Sequence, residues 1–142
     1  IARRANSGLF LRARRDGSNP AYSGREVQIL DDHNWEADTN SKLKAWQFTG
    51  SLYGAVAPSQ KALRPNGEWN TLCVTLDGPR MVTVLNGRIL YDVDTEGLTP
   101  EQGAVFAERA ATGFIGLQRH APGGIEGDAY AWFRNLYVRE LR

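Results

Sequence analysis
Polar and apolar positions alternate along much of this chain with a period of two, the signature of half-buried β-strands. Over residues 8–14, Leu9, Leu11 and Ala13 fall on one face, and Phe10, Arg12 and Arg14 on the other. Over 26–31, Val27 and Ile29 oppose Glu26 and Gln28. A short strand is predicted over 52–57, stopped by Pro58. Residues 71–77 gather Leu72, Val74 and Leu76 on one side. Residues 80–85 and 88–93 flank Asn86-Gly87, the strongest hairpin signal in the chain, since both residues tolerate the positive φ of a type I′ turn. Over 113–119, Ile115 and Leu117 oppose Phe114, Gly116 and Gln118. A last strand is predicted over 130–141, with a bulge near Asn135 where the parity changes.

Turn dipeptides punctuate these runs: Asp16-Gly17, Asn19-Pro20, Ser23-Gly24, Thr49-Gly50, Asn66-Gly67, Gly78-Pro79 and Gly123-Gly124. One segment differs. Thr99-Pro100-Glu101-Gln102 reads as an N-cap, a first-turn proline and a capping-box glutamine, predicting a short helix over 99–109. The whole predicts an all-β sandwich or barrel. No repeat or linker interrupts it, so a single domain over 1–142 is expected.

Composition narrows the function classes. The 142 residues are 42% hydrophobic and 23% charged, with a formal net charge of +1, so no global field draws nucleic acid. The arginines at 3–4, 12–15, 139 and 142 lie in short, separate spots, which read as solvated surface. No apolar run reaches the roughly 18 residues of a membrane span. Cys73 is alone, in an apolar strand pattern where burial is the default. No phosphate-cradling glycine loop, zinc motif or nucleophile elbow is present.

The chemistry-bearing candidates are polar side chains within strands. Glu26 and Gln28 share a face, Arg12 stands on the non-core face of its strand, and Gln118 leads into Arg119-His120. Gly8, Gly54 and Gly116 leave room for a ligand or a second backbone. Amides and carboxylates hydrogen-bond sugar hydroxyls, and Tyr53, Trp35, Trp46 and Trp69 are candidate stacking rings. Against this stands a plainer reading, in which Glu26 and Gln28 are the wet side of a half-exposed strand and His120 is a loop residue. Trp69 reads as core or edge rather than platform, and Asp31-Asp32-His33-Asn34 as a solvated loop rather than a cation site.

Seven blocks resemble a known family in order. They are Asn6-Ser7-Gly8-Leu9-Phe10-Leu11-Arg12, Glu26-Val27-Gln28-Ile29-Leu30-Asp31, and Thr49-Gly50-Ser51-Leu52-Tyr53-Gly54 with Val56-Ala57-Pro58. They continue with Glu68-Trp69-Asn70, Leu85-Asn86-Gly87, Gly116-Leu117-Gln118 with His120, and Phe133-Arg134-Asn135. The pattern is similar to the 3-keto-disaccharide hydrolase domain family, also called DUF1080. The resemblance implies a concanavalin-like jelly-roll sandwich of two antiparallel sheets, a carbohydrate partner, and export to the periplasm or beyond. Family members open with further strands, so additional sequence is expected before Ile1. Arg119 replaces an acidic residue usual in the family, Arg25 replaces a tyrosine, and the loop over 121–131 is longer than usual.

What the resemblance implies chemically is cleavage of glycosides already oxidised at C3. A ketone at C3 acidifies the C2 hydrogen, a base removes it, and the C1 oxygen leaves, with or without later addition of water. His120 or Glu26 is the expected base or acid, with the two roles open between them, and Arg12 the enolate or hydroxyl anchor. Gln28, Gln118, Tyr53 and Asp31 are the expected substrate-binding residues. A divalent cation at Asp31 and His33 is the alternative electrophile. The rival reading is a non-catalytic, lectin-like carbohydrate-binding module on the same scaffold.

Overall fold
The computed structural model describes residues 1–120 and 129–141. Among them, six strands form two antiparallel, three-stranded sheets. The first sheet has the order β2 (Arg25–Leu30), β1 (Asn6–Ala13), β6 (Phe114–Leu117). The second runs β3 (Leu72–Asp77), β4 (Arg80–Leu85), β5 (Arg88–Asp94). Leu11, Val27 and Leu52 meet Met81, Leu85, Leu90 and Tyr91 in the shared core, with Phe106 packed among them. This is the β-sandwich that the alternation predicts, because each sheet hides its apolar face against the other.

The Asn86-Gly87 hairpin forms as expected: Leu85 pairs with Arg88, and the two turn residues take φ of 52° and 79°. A register slip between Thr83 and Val84 turns both Leu90 and Tyr91 into buried positions. A second slip lies in β1, between Phe10 and Ala13 against β6, with Arg12 at φ 51°. It moves Ala13 off the Leu9–Leu11 face expected for it, and Ala13 packs instead with Phe10, Ala21, Tyr22 and Phe114.

Four sequence expectations need correction. Residues 52–57 form no strand. Leu52 makes isolated bridges to Val27 and Val56 across a tight turn. The expected helix over 99–109 reduces to a single 3₁₀ turn, Phe106–Glu108. Gly103 at φ 81° interrupts the run, and the Glu101 amide bonds the Gly54 carbonyl rather than a helical partner. Residues 129–141 take no strand pairing, and Leu136, Tyr137 and Val138 are 65%, 88% and 79% exposed. Cys73 is exposed, on the outer face of β3. The predicted turn at 122–124, most of the long loop over 121–131, and Arg142 lie outside the described residues.

Among the described residues, two short α-helices complete the fold. In α1 (Pro20–Ser23), Asn19 caps the N-terminus by accepting from the Ala21 amide, and Pro20 takes the first position. The other is α2 (Trp35–Thr39). Among the described residues no helix is long and apolar enough to cross a membrane.

The irregular stretch over 101–109 is fixed by one side chain. Buried Arg109 donates to the carbonyls of Ala21, Gly24, Ala104 and Gln102, and its guanidinium lies 3.9 Å from the centroid of the Phe106 ring. Burial, reinforced by the neighbouring Arg25 charge, pulls Arg109 down to about 10.

Candidate functional site
The antiparallel register of the first sheet gathers a polar group on its outer face. Gly8 pairs with Gln28, and Phe10 with both Glu26 and Gly116. Beyond the end of β6, the Gln118 amide still donates to the Gly8 carbonyl at 2.8 Å, and the Ser7 hydroxyl donates to the Gln118 carbonyl at 2.6 Å. Glu26, Gln28 and Gln118 therefore stand together above the glycine at position 8.

Glu26 and Gln28 are each only 3% exposed, so the reading of this face as a wet strand surface is overturned. The Glu26 carboxyl folds over Gly8: a Cβ there would stand 2.3 Å from Oε1. Burial pushes the Glu26 carboxyl up to about 7, and a hydrogen bond from the Gln118 side chain partly opposes the rise. Gln28 Nε2 donates to Asn6 Oδ1 at 3.3 Å, while its backbone bonds Ser51 and Gly50. Gln118 Oε1 is buried and has no hydrogen-bond partner among the described residues.

Tyr53 borders this group, its amide donating to the Glu26 carbonyl at 2.9 Å. Burial raises its phenol above the usual range, so it stays protonated. Its ring meets Trp46 edge-on, with centroids 4.8 Å apart. Trp46 Nε1 donates to Glu101 Oε1 at 2.6 Å, and Glu101 also pairs with Lys44. Nearby in sequence, Gln102 accepts from the Tyr22 hydroxyl at 2.6 Å. The Glu101, Lys44 and Tyr22 contacts leave no mark in the sequence. They join loops 55 to 80 residues apart, and no local periodicity signals such a meeting.

Other expected residues go elsewhere. Arg12 does not reach the Glu26 face. With its backbone in the left-handed region, its Nη1 donates to the Gly78 carbonyl, at the β3–β4 turn of the other sheet, at 2.6 Å. Asp31 shapes a turn: Oδ2 accepts the Arg4 amide, and Oδ1 accepts the Asn34 amide and side chain. His33 Nε2 lies 3.3 Å from the Arg64 carbonyl. Asp31 and His33 thus face separate partners, and among the described residues no three His, Cys, Asp or Glu side chains gather as a metal centre. Trp69 is 44% exposed and lies under the Arg134 guanidinium, at the edge rather than in the core. His120 is exposed, beyond the end of β6.

A second raised carboxyl went unnoticed in the sequence. Burial pushes Asp32 up to about 6, although its Oδ1 accepts both the Thr49 amide and hydroxyl. Those bonds tie the end of β2 to the Thr49-Gly50 turn, a structural use of the carboxylate.

The architecture is similar to solved structures of candidate glycosyl hydrolases from Parabacteroides distasonis. One shares 27% identity with a TM-score of 0.70, covering 84% of this chain and 65% of its own. A second shares 27% with a TM-score of 0.68, covering 85% and 60%. A third shares 26% with a TM-score of 0.56, covering 84% and 49%. The chain thus spans from about half to just under two thirds of the length of these relatives. No curated protein matches. The 3-keto-alpha-glucoside-1,2-lyase-like domain matches over residues 1–139, nearly the full length. The chain belongs to the 3-keto-alpha-glucoside-1,2-lyase-like domain family.

Proposed function
We propose that this chain carries the catalytic face of a glycoside-cleaving enzyme acting on 3-keto-glycosides, with Glu26 as the base. The observation that supports this most is the burial of Glu26, which brings its carboxyl to about 7. A base with that affinity for protons is about half ionised at neutrality, and holds a proton far better than an exposed glutamate does.

In the proposed reaction, ionised Glu26 takes the hydrogen from C2 of the sugar. The electron pair left at C2 delocalises onto the C3 ketone as an enolate. The enolate then collapses, the C1–O bond breaks, and a C1–C2 double bond remains. The leaving oxygen takes a proton from an acid, for which Tyr53 and the exposed His120 are the candidates. Addition of water across the double bond then gives the free 3-keto sugar. The amides of Gln28 and Gln118 suit the sugar hydroxyls, and Tyr53 offers an edge against the ring. Arg12 has no part in this scheme, because its guanidinium is engaged at Gly78.

The test is aglycone release from a 3-keto-glucoside and from the same glucoside with an ordinary C3 hydroxyl. Only the ketone should be cleaved, and Glu26→Gln should lower the rate by at least a hundredfold. Equal rates on both substrates would contradict the elimination chemistry. A lectin-like module is the second reading, favoured by the turning away of Arg12, which leaves amides and aromatic rings around one carboxyl. It predicts sugar binding by the unaltered chain with no turnover of either substrate.

A further inference from the structure
Two buried guanidinium groups share one aromatic ring. Arg25 and Arg109 lie 6.0 Å and 3.9 Å from the centroid of Phe106, and they are 3% and 6% exposed. Both bond neutral acceptors. Arg25 donates to the Thr95 hydroxyl and the Ala110 carbonyl, and Arg109 to four carbonyls. Neither forms an ion pair with a carboxylate among the described residues. Buried charges are ordinarily paired, because water no longer solvates them. Here two like charges stand together instead, and their field extends into the adjoining surface opening.

That opening is a cavity of about 420 Å³ beside Arg109, within the size range of small-molecule sites. Two exposed donors stand on its wall. Arg14 donates through Nη2 to the Glu108 carbonyl and forms no ion pair, so the rest of its planar fork is uncommitted. Asn19 accepts the Ala21 amide through Oδ1, while its Nδ2 makes no bond among the described residues. Tyr22 and Ala104 add apolar surface, and Glu108 is the acid on the same wall.

We propose that this cavity binds a phosphate group, carried free or as an ester. The Arg14 fork and the Asn19 amide hold its oxygens, and buried Arg109 and Arg25 supply the attracting field. An arginine fork matches two phosphate oxygens at once, and the room beside Tyr22 suits the organic part of an ester. Glu26 takes no part, so the site stands apart from glycoside cleavage.

The experiment is calorimetric titration of the unaltered chain with inorganic phosphate and with glucose 6-phosphate, at fixed ionic strength balanced with sodium chloride. Saturable binding of one molecule per chain is expected. Tighter binding of the sugar phosphate marks the ligand as an ester, and the reverse order marks it as the free ion. Arg14→Gln should weaken binding by about tenfold or more. Glu108→Gln removes the opposing charge and should tighten it about twofold or more. Arg88→Gln removes an exposed arginine from the second sheet and should leave affinity within about twofold. Thermal melts establish that each variant is folded. If Arg14→Gln is not folded, Glu108→Gln decides, since its residue is exposed on the surface. No saturable binding of either compound overturns the proposal. So does equal weakening by Arg14→Gln and Arg88→Gln, which would mark a general charge effect, or an affinity that fails to rise in Glu108→Gln.

Discussion

The carboxyl of Glu26 lies directly above Gly8, so close that a Cβ at position 8 would stand 2.3 Å from Oε1. The glycine is there because the neighbouring strand folds its acid across the sheet onto it. Gly8→Ala should displace the carboxyl without unfolding the chain, since the displaced atom ends a side chain. The expected cost is about 1–3 kcal/mol in urea unfolding, with a loss of activity of tenfold or more. Activity within twofold of the unaltered chain would show that the placement of the acid over Gly8 is immaterial.

Arg12 provides the opposite case. It takes a left-handed backbone conformation and donates to Gly78 in the other sheet. Arg12→Ala loses the bond and keeps the strained backbone, whereas Arg12→Gly loses the bond and relieves the strain. The glycine variant should therefore be the more stable of the two by roughly 1 kcal/mol. Both should cleave substrate within a few-fold of the unaltered rate. A loss comparable to that of Glu26→Gln would place the guanidinium in the reaction after all.

The raised Glu26 carboxyl makes stability depend on pH in a definite direction. The folded chain holds this proton more tightly than the unfolded one, so the stabilising effect of the proton is complete below the ordinary glutamate range, near 4.5, and is lost as pH rises through about 7. Unfolding free energy should fall across that window. Glu26→Gln should flatten the fall and gain up to about 3 kcal/mol relative to the unaltered chain at pH 8. Asp32, raised to about 6, adds a similar slope that both proteins share, so the difference between them isolates Glu26. Denaturant titrations at pH 4, 6 and 8 supply the comparison. Parallel pH profiles in the two proteins would mean that Glu26 is not buried as described.

Arg109 holds the 101–109 stretch, and with it Glu101, which bonds Trp46 beside Tyr53. Arg109→Met keeps bulk over Phe106 but leaves four carbonyls without this donor. It should destabilise the fold by about 2–4 kcal/mol in denaturant unfolding. It should also raise KM more than it lowers kcat, since the aromatic border is displaced while the carboxyl is not. A melt unchanged from the unaltered chain would contradict this account of the segment.

Period-two alternation carried much of the fold. It placed Val27 and Leu11 inward, put Glu26 and Gln28 on one face, and marked the turn at Asn86-Gly87. It also held the answer for Cys73, whose parity opposes Leu72, Val74 and Leu76, although residue type alone argued for burial. It did not reveal the slip at Arg12, because an arginine at positive φ leaves no mark in the pattern and the slip is defined only by pairing with β6. The segment over 99–109 misled for a different reason. Its capping residues suit a helix, but Gly103 takes a left-handed conformation and Arg109 draws the carbonyls into another arrangement. The depth of Glu26 was equally hidden, since alternation fixes which face a side chain takes and not how deeply that face is covered.

The role of Glu26 as the base is read out by the pH dependence of kcat/KM on a 3-keto-glucoside. Activity should climb with pH through an acidic limb near 7, and above that limb the Glu26→Gln variant should be at least a hundredfold slower. A limb at the ordinary glutamate range near 4.5, or a Glu26→Gln variant that retains the full rate, would contradict it.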